Sequence, residues 1–416
     1  MSQAESAVRA LADYNPFDPA VMEDPWEYYR KLRSEGPVYR DSHTGMVMVS
    51  TYEAVAEALR DYERFSNRFG VGMGGVSSDP ELSEVMREGY RPVDTMLTAD
   101  PPEHKRFRGL VNKAFTPRRV NALESEMQKI ADELLARFGS VGRFEVLSEF
   151  SVPLTLTVIS DQLGVPRKDL ARFKRWTDGF TTQLSGMASH DEQLEAAKRI
   201  IEFQNYFAER LAEVRDAPRD DIISALVRAR IEGERPLDTA ESLSILQQLL
   251  VAGNETTASA VAEGLLLLIR HPEQLEQVRA DPDLIPNLTE EVLRLATPTQ
   301  NMFRVATEDC ELGGVSIAKG NMLFLRFGCA NRDPDKFEDP ERFDIHRENA
   351  DEHLAFGHGI HFCIGAILAR KEMLVAFRTL LPQLRGLRLA PGAELVHKPN
   401  VLLRGLRELP LEFEPI

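Results

Sequence analysis

The segment His353–Gly365, HLAFGHGIHFCIG, constrains the fold more than any other stretch of this chain. It holds three of the nine histidines and one of the three cysteines. Gly357, Gly359 and Gly365 flank Cys363, so the backbone can adopt conformations closed to other residues and can approach a flat ligand closely. The pattern AILARKEMLVAFRTLLPQL that follows predicts a helix. The sulfur is therefore expected at or just before a helix N-terminus, where the helix dipole and free N–H groups stabilise a thiolate.

Composition and charge exclude several classes of protein. The 416 residues are 43% hydrophobic and 28% charged, as in an ordinary globular protein with a substantial core. The net charge of −16 argues against nucleic acid as a general partner. An odd count of three cysteines indicates a reducing compartment rather than a disulfide framework. The N-terminus lacks the pattern of a signal peptide or membrane anchor, so we expect a cytoplasmic protein.

The spacing of apolar residues predicts a mainly helical chain. The stretch Leu243–Ile269 is the most apolar, but Gln, Asn and Glu residues interrupt it, which favours a buried helix over a membrane span. Thr116 and Pro117 mark the start of an amphipathic helix. Its apolar face comprises Val120, Leu123, Met127, Ile130 and Leu134. Turn formers predict a β-hairpin over 37–50, and Gly and Ser predict a long irregular connection over 67–97. No repeat or linker divides the chain, so we predict one large, mainly α domain with small β-sheets.

Three chemistries are open to the cysteine loop. Cys363 could be a small buried residue, which is the commoner fate of cysteine. It could bind zinc with His353, His358 and His361, although their spacing matches no familiar zinc site. It could also be an axial thiolate on haem iron, where electron density from sulfur favours O–O cleavage. Motifs elsewhere in the chain are needed to decide among these three chemistries.

Three further stretches bear on that choice. In LLVAGNETTASA, Gly253 costs about 1 kcal/mol relative to Ala inside a helix, and the four polar residues after it are unusual in a core. A groove there would admit a small ligand or water, and a carboxylate beside a hydroxyl could relay protons. In EEVLR, Glu291 and Arg294 can pair on one helix face. In DPPEHKRFRGL, His104 and Arg108 lie one turn apart and could grip a carboxylate.

Taken together, these stretches resemble the cytochrome P450 family of haem-thiolate monooxygenases, specifically its soluble bacterial members. FGHGIHFCIG resembles the haem-binding loop, AGNETT the oxygen-activating helix segment, EEVLR the Glu-x-x-Arg element, and NRDP with DPERFD the connecting segment. The resemblance spans nearly the whole chain. It implies the cytochrome P450 fold as a single haem domain over 1–416, with the haem-binding loop at about 353–365 and the oxygen-activating helix at about 240–271.

The resemblance implies a set of haem contacts. Cys363 would be the axial iron ligand of haem b, with Phe356 packing near the sulfur, and Gly359 and Gly365 would let the loop lie close beneath the porphyrin. The implied contacts to the two propionates are His104, Arg108, Arg304 and His361.

Other residues of these motifs would be structural. By the same resemblance, His353 and His358 would support the fold of the loop. Glu291, Arg294 and Arg342 would form the ion network of the family, which serves folding rather than chemistry.

On the opposite side of the haem, the resemblance assigns the oxygen chemistry to three residues. Thr256 would order water beside dioxygen, Glu255 would feed protons to it, and Gly253 would make room in the helix groove. The implied reaction inserts one oxygen atom of O₂ into a C–H or C=C bond, and the other leaves as water. Two alternatives stay open: a haem-thiolate enzyme of oxidative coupling or dehydration, and a zinc-binding hydrolase.

The implied substrate is a medium-sized apolar molecule such as a terpenoid, a steroid, a fatty acid or a polyketide intermediate. The resemblance places the pocket lining at Phe69 to Met96, Phe180 to Met187, Leu246 to Gly253, Thr297 to Phe303, and Val401 to Leu402. The polar anchors expected within these ranges are Thr297, Thr299, Gln300 and Asn301.

Electrons must come from another protein, because no flavin or iron–sulfur signature follows the haem loop. A basic cluster in an otherwise acidic chain is expected on the cysteine side of the haem. Its members are Lys105, Arg106, Lys113, Arg118 and Arg119. We expect this cluster to dock an acidic ferredoxin or flavodoxin by charge.

Overall fold

The computed structural model describes residues 10–68, 79–112, 115–219, 221–230 and 233–416. In these ranges the chain forms a single, mainly helical domain with small sheets, as the sequence predicts. The α-helices are α1 (Pro19–Glu23), α2 (Trp26–Glu35), α3 (Tyr52–Arg60), α4 (Pro80–Arg87), α5 (Glu103–Val111), α6 (Pro117–Ala122), α7 (Glu124–Phe138), α8 (Val152–Gln162), α9 (Leu170–Leu184), α10 (His190–Asp216), α11 (Ile222–Arg228), α12 (Thr239–Arg270), α13 (Pro272–Ala280), α14 (Ile285–Ala296), α15 (Phe327–Ala330) and α16 (Ala366–Leu380).

The β-strands are short and lie in three sheets. They are β1 (Val38–Arg40), β2 (Val47–Val49), β3 (Phe65–Ser66), β4 (Arg143–Glu145), β5 (Asn301–Ala306), β6 (Cys310–Leu312), β7 (Val315–Ile317), β8 (Met322–Arg326), β9 (Arg388–Leu389) and β10 (Pro410–Glu412). The largest sheet has the order β1-β2-β8-β5-β3, and the others are β4-β10-β9 and β6-β7. β2 and β8 pair in parallel, and the remaining pairs are antiparallel.

Helix α12 runs through the middle of the domain. It starts at a capping box in which Asp238 and Glu241 each accept the other's backbone N–H. It packs against α8, α14 and α16, and most of its residues are buried. The polar residue Asn254 is accommodated because the Thr155 hydroxyl on α8 donates to its side-chain oxygen at 2.7 Å. Within the described ranges, no helix combines the length and the apolar character needed to cross a bilayer.

The local predictions are mostly confirmed. β1 and β2 form the expected hairpin, with Val38 opposite Val49. Thr116 caps the predicted helix by accepting the Arg119 N–H, but that helix is divided into α6 and α7. The Leu123 N–H bonds three residues back to Val120, a tighter turn that ends α6.

The predicted irregular connection over 67–97 is only partly irregular. Residues 80–87 form helix α4, which begins where the Asp79 side chain accepts two backbone N–H groups. Residues 69–78 of this connection lie outside the described ranges.

The predicted ion network exists, but its third member is wrong. Glu291 and Arg294 on α14 are fully buried and form a two-pronged pair, with N–O distances of 2.7 and 2.8 Å. The Nε of Arg347, not Arg342, lies 3.2 Å from both Glu291 oxygens. The Arg342 side chain is 63% exposed and pairs with Asp344. Arg342 contributes its backbone carbonyl to the network, where it accepts hydrogen bonds from Arg294 and Arg347, while its charged side chain lies at the surface.

Candidate active site

A central cavity lies between α12, strand β5 and the loop that precedes α16. Phe356, Gly357, His361, Cys363 and Gly365 line it from the loop and the approach to α16, Arg304 from β5, and Gly253 and Thr256 from α12. Most of the other lining side chains are apolar. The motifs that are far apart in the sequence therefore meet around one cavity.

Cys363 lies in the wall of this cavity, three residues before α16. Its N–H donates to the Phe356 carbonyl at 2.9 Å, which fixes the loop around the sulfur. Burial raises the pKa of the Cys363 thiol, while the backbone N–H groups of Gly365 and Ala366 and the charge on Arg108 lower it by less. The predicted stabilisation by the helix start is therefore present but outweighed. A bound metal cation would reverse this balance, because a coordinating thiol is deprotonated outright.

The glycines that line the cavity are not all the ones that were predicted. Gly359 has φ +69°, and a Cβ there would lie 2.5 Å from the Leu59 carbonyl oxygen. It therefore packs against the end of α3 and does not line the cavity, contrary to the expected place beneath the porphyrin. Gly357 and Gly365 line the cavity instead.

Two histidines, His104 and His361, each have a ring nitrogen without a hydrogen-bond partner among the described residues. The rings of His104 and His361 lie 4.3 Å apart, centroid to centroid. His361 contacts the Met96 carbonyl through Nδ1 at 3.1 Å. The Nε2 atoms of both histidines are buried without a hydrogen-bond partner among the described residues. Burial lowers the pKa of His361 to about 3, with help from the charge on Arg304 and from His104.

Two arginines complete this cluster. Arg304 is 2% exposed, and among the described residues its side chain donates only to the Phe303 carbonyl, at 2.7 Å. Arg108 donates to the Phe362 carbonyl at 2.5 Å. Burial lowers the pKa of both, that of Arg304 to about 10.

Within the described ranges, no carboxylate forms an ion pair with either arginine or either histidine. Buried cations and donors without counter-charges suit a ligand that brings its own carboxylates. The two propionates of haem meet this requirement, so the residues present fit the cofactor that the resemblance implies.

Gly253 and Thr256 are part of the wall supplied by α12. No atom of the described residues lies within 4 Å of the position that a Gly253 Cβ would take. The Thr256 hydroxyl donates to the Ala252 carbonyl at 2.7 Å. α12 continues unbroken through this point, so the predicted groove arises from the missing side chain rather than from a break in the helix.

Glu255 does not line the central cavity. It lies in a second, polar cavity, lined by Thr181, Glu255, Thr256, Lys398 and Arg407 among others. Lys398 Nζ is 2.9 Å from its carboxylate, and the Thr181 hydroxyl donates to it at 2.6 Å. Burial raises the pKa of Glu255, but the Lys398 charge and the Thr181 hydrogen bond outweigh it, so the net pKa is lowered. Thr256 belongs to both cavities and forms part of the wall between them.

The predicted substrate ranges reach the central cavity, but most of the predicted polar anchors do not. Met96, Leu184, Leu249, Met302 and Leu402 represent the five ranges in its wall. The segment 69–78 of the first range lies outside the described residues.

Three of the four anchors are wrong because backbone carbonyls engage them. Thr297 donates to Arg294, Gln300 to Ala296 and Thr297, and Asn301 to Val401. Thr299 lines the cavity as expected.

The predicted basic cluster is also smaller than expected. Arg106 is 12% exposed and pairs with Glu241 and Glu234 at 2.9 and 3.3 Å, so it is not available to a partner. Lys105 and Arg118 are exposed, Arg119 is half-buried, and Lys113 lies outside the described residues. Beside Cys363, the side chains of Phe362 and Ile367 are 42% and 38% exposed. No sequence motif indicates this exposed apolar surface.

The other two histidines of the loop have local structural partners, and His358 also lines the central cavity. His353 Nε2 lies 3.2 Å from Glu290, and the His358 ring accepts the Gly359 N–H at 2.6 Å. Within the described ranges, no three His, Cys, Asp or Glu side chains are arranged to hold a metal ion together. The zinc alternative therefore has no geometry to support it.

Comparison with known proteins agrees with this arrangement. The family profile of cytochrome P450 matches residues 159–386. Cytochrome P450 107B1 of Saccharopolyspora erythraea is 38% identical over 409 residues, 96% of this chain and 98% of the relative. Cytochrome P450 monooxygenase PikC of Streptomyces venezuelae is 37% identical over 425 residues, 99% of this chain and 96% of the relative.

Solved structures give the same result for the fold. P450BioI, in complex with an acyl carrier protein ligated to hexadec-9Z-enoic acid, superposes with a TM-score of 0.86 at 34% identity. The match covers 95% of this chain and 99% of that one. The chain therefore belongs to the cytochrome P450 family and is a haem-dependent cytochrome P450 monooxygenase.

Proposed function

We propose that this enzyme inserts one atom of dioxygen into a C–H or C=C bond of a medium-sized apolar molecule. A single observation carries the proposal: Cys363, Arg108, Arg304, His361 and Thr256 all line one largely apolar cavity, and His104 lies beside His361. The haem supplies the oxygen-activating chemistry when it is bound, and the protein supplies binding, orientation and protons.

Four groups would hold the haem by its edge while Cys363 binds its iron. His104, Arg108, Arg304 and His361 would pair with the propionates, which relieves the cost of burying these groups alone. Phe356 would pack beside the sulfur. The guanidinium of Arg370 stacks on the Phe356 ring, 4.6 Å from the ring centre.

Protons would enter through the polar cavity. Glu255 lies in it, and the Thr256 hydroxyl lies where the two cavities meet. Glu255 would take a proton from water on the polar side and pass it towards Thr256, which would hold water at the wall of the central cavity. Lys398 and Thr181 would keep Glu255 ionised and correctly oriented between turnovers. Gly253 would keep space open beside them.

Electrons would arrive at the surface formed by Phe362 and Ile367, the docking surface. Lys105 and Arg118 would supply positive charge that attracts an acidic ferredoxin or flavodoxin. Reversal of these charges in Lys105→Glu and Arg118→Glu should slow reduction by ferredoxin, and more so at low ionic strength. Lys319→Glu on another surface serves as the control. Equal reduction rates for all these variants at low salt would refute the docking surface.

The substrate class rests on the lining of the cavity and on relatives. The wall is mainly apolar, so a terpenoid, a steroid, a fatty acid or a polyketide intermediate would bind by burial of apolar surface. Relatives named for biotin biosynthesis and for polyketide biosynthesis are 35% and 34% identical to this chain. A cytoplasmic location is consistent with Cys310, Cys329 and Cys363, none of which forms a disulfide in the described chain.

Isotope labelling tests the proposed reaction. Compounds that shift the Soret band of the holoenzyme would be incubated with NADH, ferredoxin, its reductase and ¹⁸O₂. We expect one labelled oxygen atom in each product and the other in water. Products that form without label would instead support the alternative of oxidative coupling or dehydration.

A further inference from the structure

One buried polar side chain in the central cavity has a hydrogen-bond donor that the protein does not use. Gln248 lies on α12 two turns before Thr256, about 12 Å along the helix axis, and on the same side of the helix. It lines the central cavity and is 8% exposed. It lies within the predicted lining range Leu246 to Gly253, but no motif or predicted polar anchor includes it.

The orientation of the Gln248 amide follows from its one hydrogen bond. Its Oε1 accepts the Leu97 N–H at 3.3 Å. One turn earlier on α12, the Ser244 hydroxyl oxygen accepts the Val93 N–H at 3.0 Å. These two contacts fasten the segment 93–97 to α12. Because an N–H can bond only to the oxygen of the amide, the Gln248 oxygen points to Leu97 and the –NH₂ group is left over.

That –NH₂ group has no acceptor among the described residues, since the bond to Leu97 is the only hydrogen bond that Gln248 makes with them. Most of the side chains that line the cavity are apolar, among them Leu249 and Ala252 of the same helix. The –NH₂ group opens onto the cavity, and a donor left without an acceptor there becomes costly once an apolar ligand excludes water. A ligand with an acceptor oxygen at this point would remove the cost.

We propose that Gln248 donates a hydrogen bond to a carbonyl, ester or hydroxyl oxygen of the substrate. The inference rests on the proposed function, since it takes the central cavity as the substrate pocket. The substrate is then an apolar molecule with an acceptor oxygen remote from the carbon that is oxidised, and a hydrocarbon of the same shape is disfavoured. The reason is that a pocket built to bond a polar group discriminates against an analogue that leaves the pocket group unpaired.

The test is a double-mutant cycle in which both the protein and the ligand lose the hydrogen bond. The probes are 1-phenylimidazoles that carry a terminal acetyl or a terminal isopropyl group on linkers of increasing length. Their imidazole nitrogen binds haem iron, so the Soret shift reports the dissociation constant. The proteins are the wild-type holoenzyme, Gln248→Met, Gln248→Glu and the control Leu249→Met. For each protein, the dissociation constants of the acetyl and isopropyl ligands are taken as a ratio. Comparing this ratio between proteins cancels the difference in hydration between the two ligands of a pair.

For at least one linker length, we expect the acetyl-to-isopropyl preference of the wild type to fall about tenfold in Gln248→Met, the size of a hydrogen bond to a neutral group. Leu249→Met should keep the wild-type preference. Gln248→Glu retains the acceptor for Leu97 but lacks the donor, so it should lose the preference as well. Equal preferences in all four proteins would overturn the inference while leaving the proposed function intact. No Soret shift with any azole would overturn the proposed function together with it.

Discussion

Replacement of Arg347 by Met tests the ion network that the structure revises. Arg347 Nε lies 3.2 Å from both oxygens of Glu291, and its guanidinium also donates to the carbonyls of Glu338, Asp339 and Arg342. Met fills a similar volume but carries no donor. The substitution therefore leaves a fully buried carboxylate with one cation, Arg294, in place of two.

The expected magnitude follows from the burial. Breaking a buried ion pair by removing one partner costs about 3–5 kcal/mol. The entropy of unfolding is about 2.1 cal/mol/K per residue, which gives about 0.9 kcal/mol/K for a chain of 416 residues. Dividing the free-energy cost by this entropy of unfolding predicts that Arg347→Met lowers the midpoint of thermal unfolding by about 3–6 °C.

The matched control is Arg342→Met, which removes the exposed arginine that the sequence motif favours. Thermal unfolding of the two variants and the wild type, monitored by circular dichroism at one scan rate, makes the comparison. We expect Arg342→Met to unfold at the same temperature as the wild type, because the Arg342 side chain is 63% exposed and its ion pairs lie at the surface. A larger loss for Arg342→Met than for Arg347→Met would refute the reasoning.

Two further predictions concern the site. Lys398→Met removes the charge that helps to lower the pKa of Glu255 against the effect of burial, so that pKa should rise. Glu255 should then become protonated at higher pH. In a plot of product formed per NADH consumed against pH, the fall on the acid side should shift to higher pH. Superimposable pH profiles for Lys398→Met and the wild type would contradict this. Gly359→Ala should lower the haem content of purified protein more than Gly357→Ala does. Both positions have positive φ, but only at Gly359 would the Cβ meet a backbone oxygen, at 2.5 Å, so equal haem content would contradict the packing argument.

Sequence motifs predicted the parts of the site that depend on local chemistry. Cys363, Gly253 and Thr256 belong to contiguous motifs, and each lines the central cavity. The resemblance placed helix α12 within one residue at each end, at about 240–271, whereas the apolar run Leu243–Ile269 alone missed its first turn.

Side-chain partners from distant segments could not be predicted in the same way. Lys398 lies 143 residues from Glu255, and no spacing rule links them. Arg342 stands in the motif, yet the network takes Arg347, because solvent exposure of a side chain depends on how the chain turns between them. Gln300 and Asn301 looked like polar anchors, but backbone carbonyls already engage their amides. Gln248 is the reverse case, since its free donor is apparent only when every hydrogen bond around it is known.

Haem ligation by Cys363 is the central claim, and one spectrum tests it most directly. The holoenzyme and a Cys363→Ala variant would be reduced with dithionite, exposed to carbon monoxide and recorded as difference spectra. We predict a strongly red-shifted Soret band, typical of an axial thiolate, in the wild type and its loss in the variant. The same red-shifted band in both proteins, or no haem absorbance in wild-type protein expressed with ample haem, would contradict the assignment of Cys363.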